Sequence, residues 1–177
     1  MDPFVSDIKK IRDRARRQIE TGAVTAGYQG DAEQVCKVLN EALATELVCV
    51  LRYKAHYFAA KGINSEGVKA EFLQHANDEQ LHADQLSERI TQLNGEPNLN
   101  PDGLSTRSHS QYETSEDLAT MIKEDLVAER IAIDTYGEIV RWLGEKDPTS
   151  RRLVESILEK EEEHANDMND LLSRFSK

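Results

Sequence analysis

Glu79-Gln80-Leu81-His82 and Glu161-Glu162-Glu163-His164 each place a histidine three residues after a glutamate. A further glutamate precedes each pair at nearly the same distance, Glu46 by 33 residues and Glu129 by 32. Residues three apart share a helix face, so each pair turns a carboxylate and an imidazole the same way. Four carboxylates and two imidazoles are the donors that two iron or manganese ions need inside a four-helix bundle.

Outward from these stretches, the apolar residues keep helical spacing. Val35, Val38, Leu39, Leu43, Leu47, Val50 and Leu51 predict a helix over about residues 31–61. Gly62-Ile63-Asn64-Ser65 interrupts it, and Ser65 is a candidate cap for a second helix reaching about residue 93. Asn94-Gly95-Glu96-Pro97 ends that helix, and a polar crossover follows to about residue 115. A third helix is expected over 116–143, a turn from Gly144 to Pro148, and a fourth helix over 149–174. The expectation is therefore an all-α four-helix bundle with a long crossover between its second and third helices.

Geometry tests the pattern. In an antiparallel hairpin, residues equidistant from the turn lie at one height. The midpoint of Glu46 and Glu79 falls between Gly62 and Ile63, and that of Glu129 and Glu161 falls on Glu145, so both midpoints lie in expected turns. Chance charge runs produce single Glu-x-x-His pairs, as Lys160, Glu162 and Glu163 around Glu161 illustrate, but they do not produce this doubled symmetry. Four carboxylates in one core layer are prohibitively costly unless cations neutralise them.

Composition bounds the rest. A chain of 177 residues, 38% of them hydrophobic, suits about one domain. No apolar run approaches the roughly 20 residues of a membrane span, and the N-terminus lacks a signal-peptide core, which predicts a cytoplasmic protein. Cys36 and Cys49, 13 apart in one helical pattern, point to different sides and read as reduced thiols. The net charge of −11 argues against a surface that coats nucleic acid. Only residues 1–20 are basic, through Lys9, Lys10, Arg12, Arg14, Arg16 and Arg17, and they leave one route to DNA. Within that segment Ser6 is a candidate cap, and Ile8, Ile11, Ala15 and Ile19 form an apolar stripe that reads first as a packing or subunit contact. Residues 1–30 are thus an N-terminal extension with a short basic amphipathic helix, and residues 31–177 are the bundle.

Tyr53 and Tyr136 each lie seven residues after a candidate ligand, Glu46 and Glu129. They could hydrogen-bond the carboxylates or donate an electron; core tyrosines with satisfied hydroxyls are the plainer reading. Asp78 and Asp125 are candidates for orienting an imidazole, with solvated helix charges as the alternative. His75, one turn before Glu79, reads as a hydrogen-bonded core histidine or as part of an outer iron site. Cys49 faces the same way as Glu46 and is a candidate redox residue. His56 and His109 read as surface or interface residues, and Arg107 as an ordinary crossover residue.

The segments Leu39-Asn40-Glu41-Ala42-Leu43-Ala44-Thr45-Glu46-Leu47, Glu79-Gln80-Leu81-His82-Ala83-Asp84, Asp125-Leu126-Val127-Ala128-Glu129 and Ile157-Leu158-Glu159-Lys160-Glu161-Glu162-Glu163-His164 resemble the four helices of bacterioferritin, over about residues 35–175. The resemblance implies a ferritin-like bundle with a di-iron ferroxidase centre. Glu79 and Glu161 would bridge the ions, with Glu46 and His82 completing one and Glu129 and His164 the other. Two departures matter. Gln80 stands where bacterioferritins place a haem-ligating methionine, and an amide is a poor haem ligand, so no haem is expected there. The chain also ends at Phe175-Ser176-Lys177, where bacterioferritins continue into a fifth helix of the 24-subunit cage. With its added sequence at the N-terminus, the chain looks more like Dps-like mini-ferritins with a bacterioferritin-type site, which implies a 12-subunit homo-oligomeric shell.

The expected activity is a ferroxidase that stores iron and consumes peroxide or dioxygen, using two Fe ions per subunit with Mn as the alternative. Other classes remain: a manganese catalase or rubrerythrin-like peroxidase, although the chain has no Cys-x-x-Cys for a rubredoxin domain, and a DNA-binding protective shell protein.

Overall fold

A computed structural model of the chain describes residues 7–62 and 65–174. Among these residues there are six α-helices, α1 (Ile8–Ala15), α2 (Ala32–Ala59), α3 (Ser65–Gln92), α4 (Leu104–Arg107), α5 (Leu118–Leu143) and α6 (Pro148–Ser173), and no strand. The four long helices are the expected ones. Ser6, Ile63, Asn64 and Phe175-Ser176-Lys177 lie outside the described residues.

Aspartates set four helix starts, and at α1 it is Asp7 whose carboxylate accepts from the Lys10 N–H. Asp31, Asp117 and Asp147 have non-helical backbones, and their carboxylates accept from the backbone N–H of Gln34, Thr120 and Ser150. Pro148 follows Asp147 as the first helical residue of α6, where its missing N–H costs nothing. At Ser65 the side chain donates to the Gly62 carbonyl at 2.8 Å, so it fastens the turn rather than accepting from the helix. The end of α3 turns on Asn94 at φ 63°, and the Gly95 N–H returns to the Ile90 carbonyl at 2.9 Å.

The helices form two antiparallel hairpins, α2 with α3 and α5 with α6, joined by packing of α2 on α5 and α3 on α6. The hairpin turns sit at opposite ends, so the crossover from Leu93 to Asp117 runs the length of the bundle. It carries α4, a single turn the sequence did not signal, and Arg107 braces it by donating to the carbonyls of Asn98 and Asn100. Two apolar cores fill the bundle. One, at the α5–α6 turn, gathers Leu39, Leu43, Leu86, Ile90, Tyr136 and Ile157. The other, at the α2–α3 turn, gathers Tyr53, Phe72, Met121, Ile122 and Met168. A polar layer lies between them.

The N-terminal extension is tied down at its far end. Tyr28 donates to Asp147 at 2.8 Å, Asp147 also pairs with Arg89 at 3.0 Å, and Asn94 donates to the Thr21 carbonyl. α1 behaves differently: it has no buried residue, and Ile8, Ile11 and Ile19 are exposed. Among the described residues of one chain the apolar stripe therefore docks on nothing. Both cysteines are buried and unpaired with each other. No helix among the described residues is long and apolar enough to cross a membrane.

Candidate metal centre

Each of the four long helices contributes to the polar layer. Glu46 comes from α2, Glu79 and His82 from α3, Glu129 from α5, and Glu161 and His164 from α6; all six are buried. They converge as two overlapping quartets, Glu46, Glu79, His82 and Glu161 in one and Glu79, Glu129, Glu161 and His164 in the other. Glu79 and Glu161 belong to both. The Nδ1 of His82 lies 3.1 Å from Glu46, 3.3 Å from Glu79 and 3.0 Å from Glu161. The Nδ1 of His164 lies 3.5 Å from Glu79, 3.9 Å from Glu129 and 3.7 Å from Glu161. The structure thus brings together all six residues that the sequence singled out.

Electrostatics describes a layer in which burial and mutual repulsion act on four carboxylates at once. Burial, with repulsion from Glu79, pushes the Glu46 carboxyl up to about 8. Burial and repulsion from Glu79 and Glu161 also hold Glu129 well above the usual range. For His82 and His164 burial opposes ionisation, but hydrogen bonds with the glutamates outweigh it and raise these rings to about 12 and about 10. In Glu79 and Glu161 burial again favours the acid, and hydrogen bonds with the surrounding groups reverse it, so both are lowered. Raised carboxyls and imidazoles thus stand beside the two lowered glutamates in one layer. Even so, Glu79 Oε1, Glu129 Oε2, Glu161 Oε1 and His164 Nδ1 are buried without hydrogen-bond partners, orphaned atoms that an ion or an ordered water would satisfy. Carboxylate oxygens and imidazole nitrogens suit Fe(II) and Mn(II) alike.

The supporting residues divide. Tyr53 donates to Glu129 and Tyr136 to Glu46, each reaching across to the glutamate of the other hairpin. Asp78 lies 3.3 Å from His164 Nε2, on the far side of the ring from the carboxylates. Asp125 bonds an imidazole that is not among the six: it holds His56 at 2.8 Å and pairs with Arg52 at 3.0 Å. His56 is therefore a core residue, fully buried, and the surface reading of it is overturned. Sequence reasoning missed Arg52 too, because its partner lies on a different hairpin. His109 is exposed, as expected, and its ring contacts Thr45 at 3.0 Å. Gln80 is exposed and donates to Asp84 at 3.0 Å. Burial pushes the Cys49 thiol well up, which disfavours the thiolate a redox role requires.

Comparison with known proteins agrees with this architecture. A family model described as a ferritin-like domain matches residues 36–177. The "Nutrient stress-induced DNA-binding protein" of Synechococcus sp. is 32% identical over 139 residues, 75% of this chain and 77% of its own. The bacterioferritin of Desulfovibrio desulfuricans is 28% identical over 141 residues, 78% of this chain and 75% of its own. Its X-ray structure, whose diiron site has been captured in different catalytic states, aligns at a TM-score of 0.71 and 26% identity, covering 81% of this chain and 83% of that one. A dodecameric thioferritin, the bacterioferritin-related protein of Bacteroides fragilis, aligns at a TM-score of 0.80 and 30% identity, covering 84% of this chain and 89% of that one.

Proposed function

Because the chain belongs to the ferritin-like family, we propose that its polar layer is a di-iron ferroxidase centre, and that the protein oxidises Fe(II) with peroxide or dioxygen for iron storage and protection from oxidants. The observation that carries this reading is the pair of buried quartets sharing Glu79 and Glu161. Two Fe(II) ions held there supply one electron each, so one peroxide and two protons become two waters, or one dioxygen and two protons become one peroxide. The chain's residues do the rest. Glu79 and Glu161 serve both ions, Glu46 with His82 and Glu129 with His164 complete the two sets, and Asp78 steadies the His164 ring from its Nε2 side. Tyr53 and Tyr136 fix the terminal glutamates and stand within reach as electron donors. Flanking apolar cores keep the layer dry.

The thioferritin's dodecameric assembly supports a shell of twelve subunits, and exposed Leu51, Phe58 and Trp142 supply apolar surface for contacts between copies. Gln80, an amide engaged with Asp84, supports a centre without haem at that position. The proposed setting is the cytoplasm. Residues 1–30 act as an extension and 31–177 as the bundle.

Anaerobic loading with Fe(II), followed by peroxide or dioxygen in turn, tests the reading. Rapid oxidation of two Fe(II) per subunit, lost in Glu79→Ala, is the expected result. Oxygen evolved from peroxide by a manganese-loaded protein that leaves Fe(II) unoxidised would point to catalase instead. DNA binding through residues 1–20 has one feature in its favour, the solvent-exposed basic α1. It predicts a salt-sensitive gel shift that vanishes when those residues are deleted.

A further inference from the structure

Glu71 and His75, one turn apart on α3, meet Asp167 of α6 where the two helices pack antiparallel. His75 is fully buried, yet its two nitrogens have very different surroundings. Nδ1 lies 3.1 Å from the Tyr53 hydroxyl, whose proton is already committed to Glu129. The tyrosine oxygen must therefore accept, and Nδ1 must carry the hydrogen. That tautomer leaves a lone pair on Nε2. Nε2 is buried and has no hydrogen-bond partner. It faces Asp167 Oδ2 at 3.6 Å and Glu71 Oε2 at 4.0 Å, both beyond hydrogen-bond reach and both acceptors. Three acceptor atoms thus converge with no hydrogen among them. A buried lone pair held against two carboxylates is unfavourable unless a cation lies between them.

We propose that Glu71, His75 and Asp167 form a third, outer site for a divalent transition-metal ion, which stages Fe(II) on its way to the inner centre. One imidazole nitrogen and two carboxylate oxygens suit Fe(II), Mn(II), Co(II) or Zn(II), with water filling the remaining positions. The site opens outward: the side chains of Glu71 and Asp167 are 38% and 42% exposed. It also abuts the inner layer, because the His75 ring stacks on the His164 ring with centroids 3.9 Å apart and planes 18° from parallel. His75 further converges with Glu129 and His164. One imidazole is therefore the wall shared by a solvent-facing pair of carboxylates and the buried quartets. An ion arriving from solvent meets the outer carboxylates first.

The staging role rests on the ferroxidase reading, whereas binding at the outer site does not. The test is anaerobic Co(II) titration by calorimetry, with anomalous diffraction from Co(II)-soaked crystals, of the full chain and of the double variant Glu71→Gln/Asp167→Asn. Both substitutions are isosteric and partly exposed, so folding is spared. The full chain is expected to bind three Co(II) per subunit, with an anomalous peak between Glu71, His75 and Asp167; the variant is expected to bind two. Two ions in both proteins, with no peak among the three residues, would overturn the site. For staging, stopped-flow growth of the inner-centre Co(II) absorption should slow about tenfold in the double variant. An unchanged loading rate would overturn that role. Three bound Co(II) in a protein that never oxidises Fe(II) would uphold the outer site and reject only the ferroxidase reading.

Discussion

At the level of single residues, Tyr136 and Tyr53 link the two hairpins through the candidate ligands. Each hydroxyl supplies the hydrogen that fixes one glutamate oxygen; the second oxygen of Glu129 is left without a partner, and that of Glu46 lies 3.1 Å from His82 Nδ1. Removing such a partner from a ligand typically weakens metal binding 10- to 100-fold, and Tyr136→Phe should lower Co(II) affinity within about that range while keeping the inner stoichiometry at two. Competition titration against a chelator checks this; unchanged affinity would make Tyr136 a packing residue. Proton movements give a second expectation. Glu46, His82 and His164 are raised to about 8, about 12 and about 10, Glu129 is raised well above the usual carboxylate range, and ligation requires each without its proton. Metal binding at pH 7 should therefore release at least about three protons per subunit, from Glu46, His82 and His164, and affinity should rise with pH and fall as pH is lowered. Titration in buffers of different ionisation enthalpy measures the release, and a value near zero would contradict the protonated resting state. The six converging side chains were legible in the sequence because two hairpins repeat one spacing. Asp125 with His56 and Arg52 was not, since those partners come from different hairpins and no local period joins them. Asp167 was silent for the same reason: only the packing of α3 on α6 brings it to His75.

The long elements were legible wherever a chemical signal marks their ends, and less so where packing decides. Aspartate caps at 31, 117 and 147 and the Asn94-Gly95 stop mark boundaries that sequence reasoning reached within a few residues. The four-residue α4 has one apolar side chain and no helical period to read. Gly95 shows packing acting on a turn. A Cβ built there would lie 2.5 Å from Cys36 Sγ, closer than any real contact, while the Gly95 N–H closes the end of α3. Gly95→Ala should destabilise the protein by about 1 to 3 kcal/mol through overpacking. Thermal or denaturant unfolding measures the loss, and Cys36→Ala in the same chain should restore much of it by removing the sulfur. A Gly95→Ala protein as stable as the parent would mean that the loop shifts freely away from α2.

For the whole molecule, the decisive feature is apolar surface that a single chain leaves in water. Leu51, Phe58, Leu81, Val127 and Trp142 on the long helices are exposed, and so is the Ile8, Ile11 and Ile19 stripe of the N-terminal segment. Closed symmetric assembly buries such surface in equivalent contacts. Twelve copies of the 20.0-kDa chain predict a particle of about 240 kDa by light scattering, against about 480 kDa for a 24-subunit cage. The stripe has a specific place in this expectation. Among the described residues α1 buries nothing against its own bundle, which makes a neighbouring subunit the expected cover for the stripe's isoleucines. Replacing Ile8, Ile11 and Ile19 together by serine should leave each bundle folded, since none of them touches either core, and should shift the particle toward smaller species at low protein concentration. Intact helicity with a reduced mass would assign α1 to the subunit contact. An unchanged 240-kDa particle would free the basic segment for a different partner and make the long helices alone responsible for the shell.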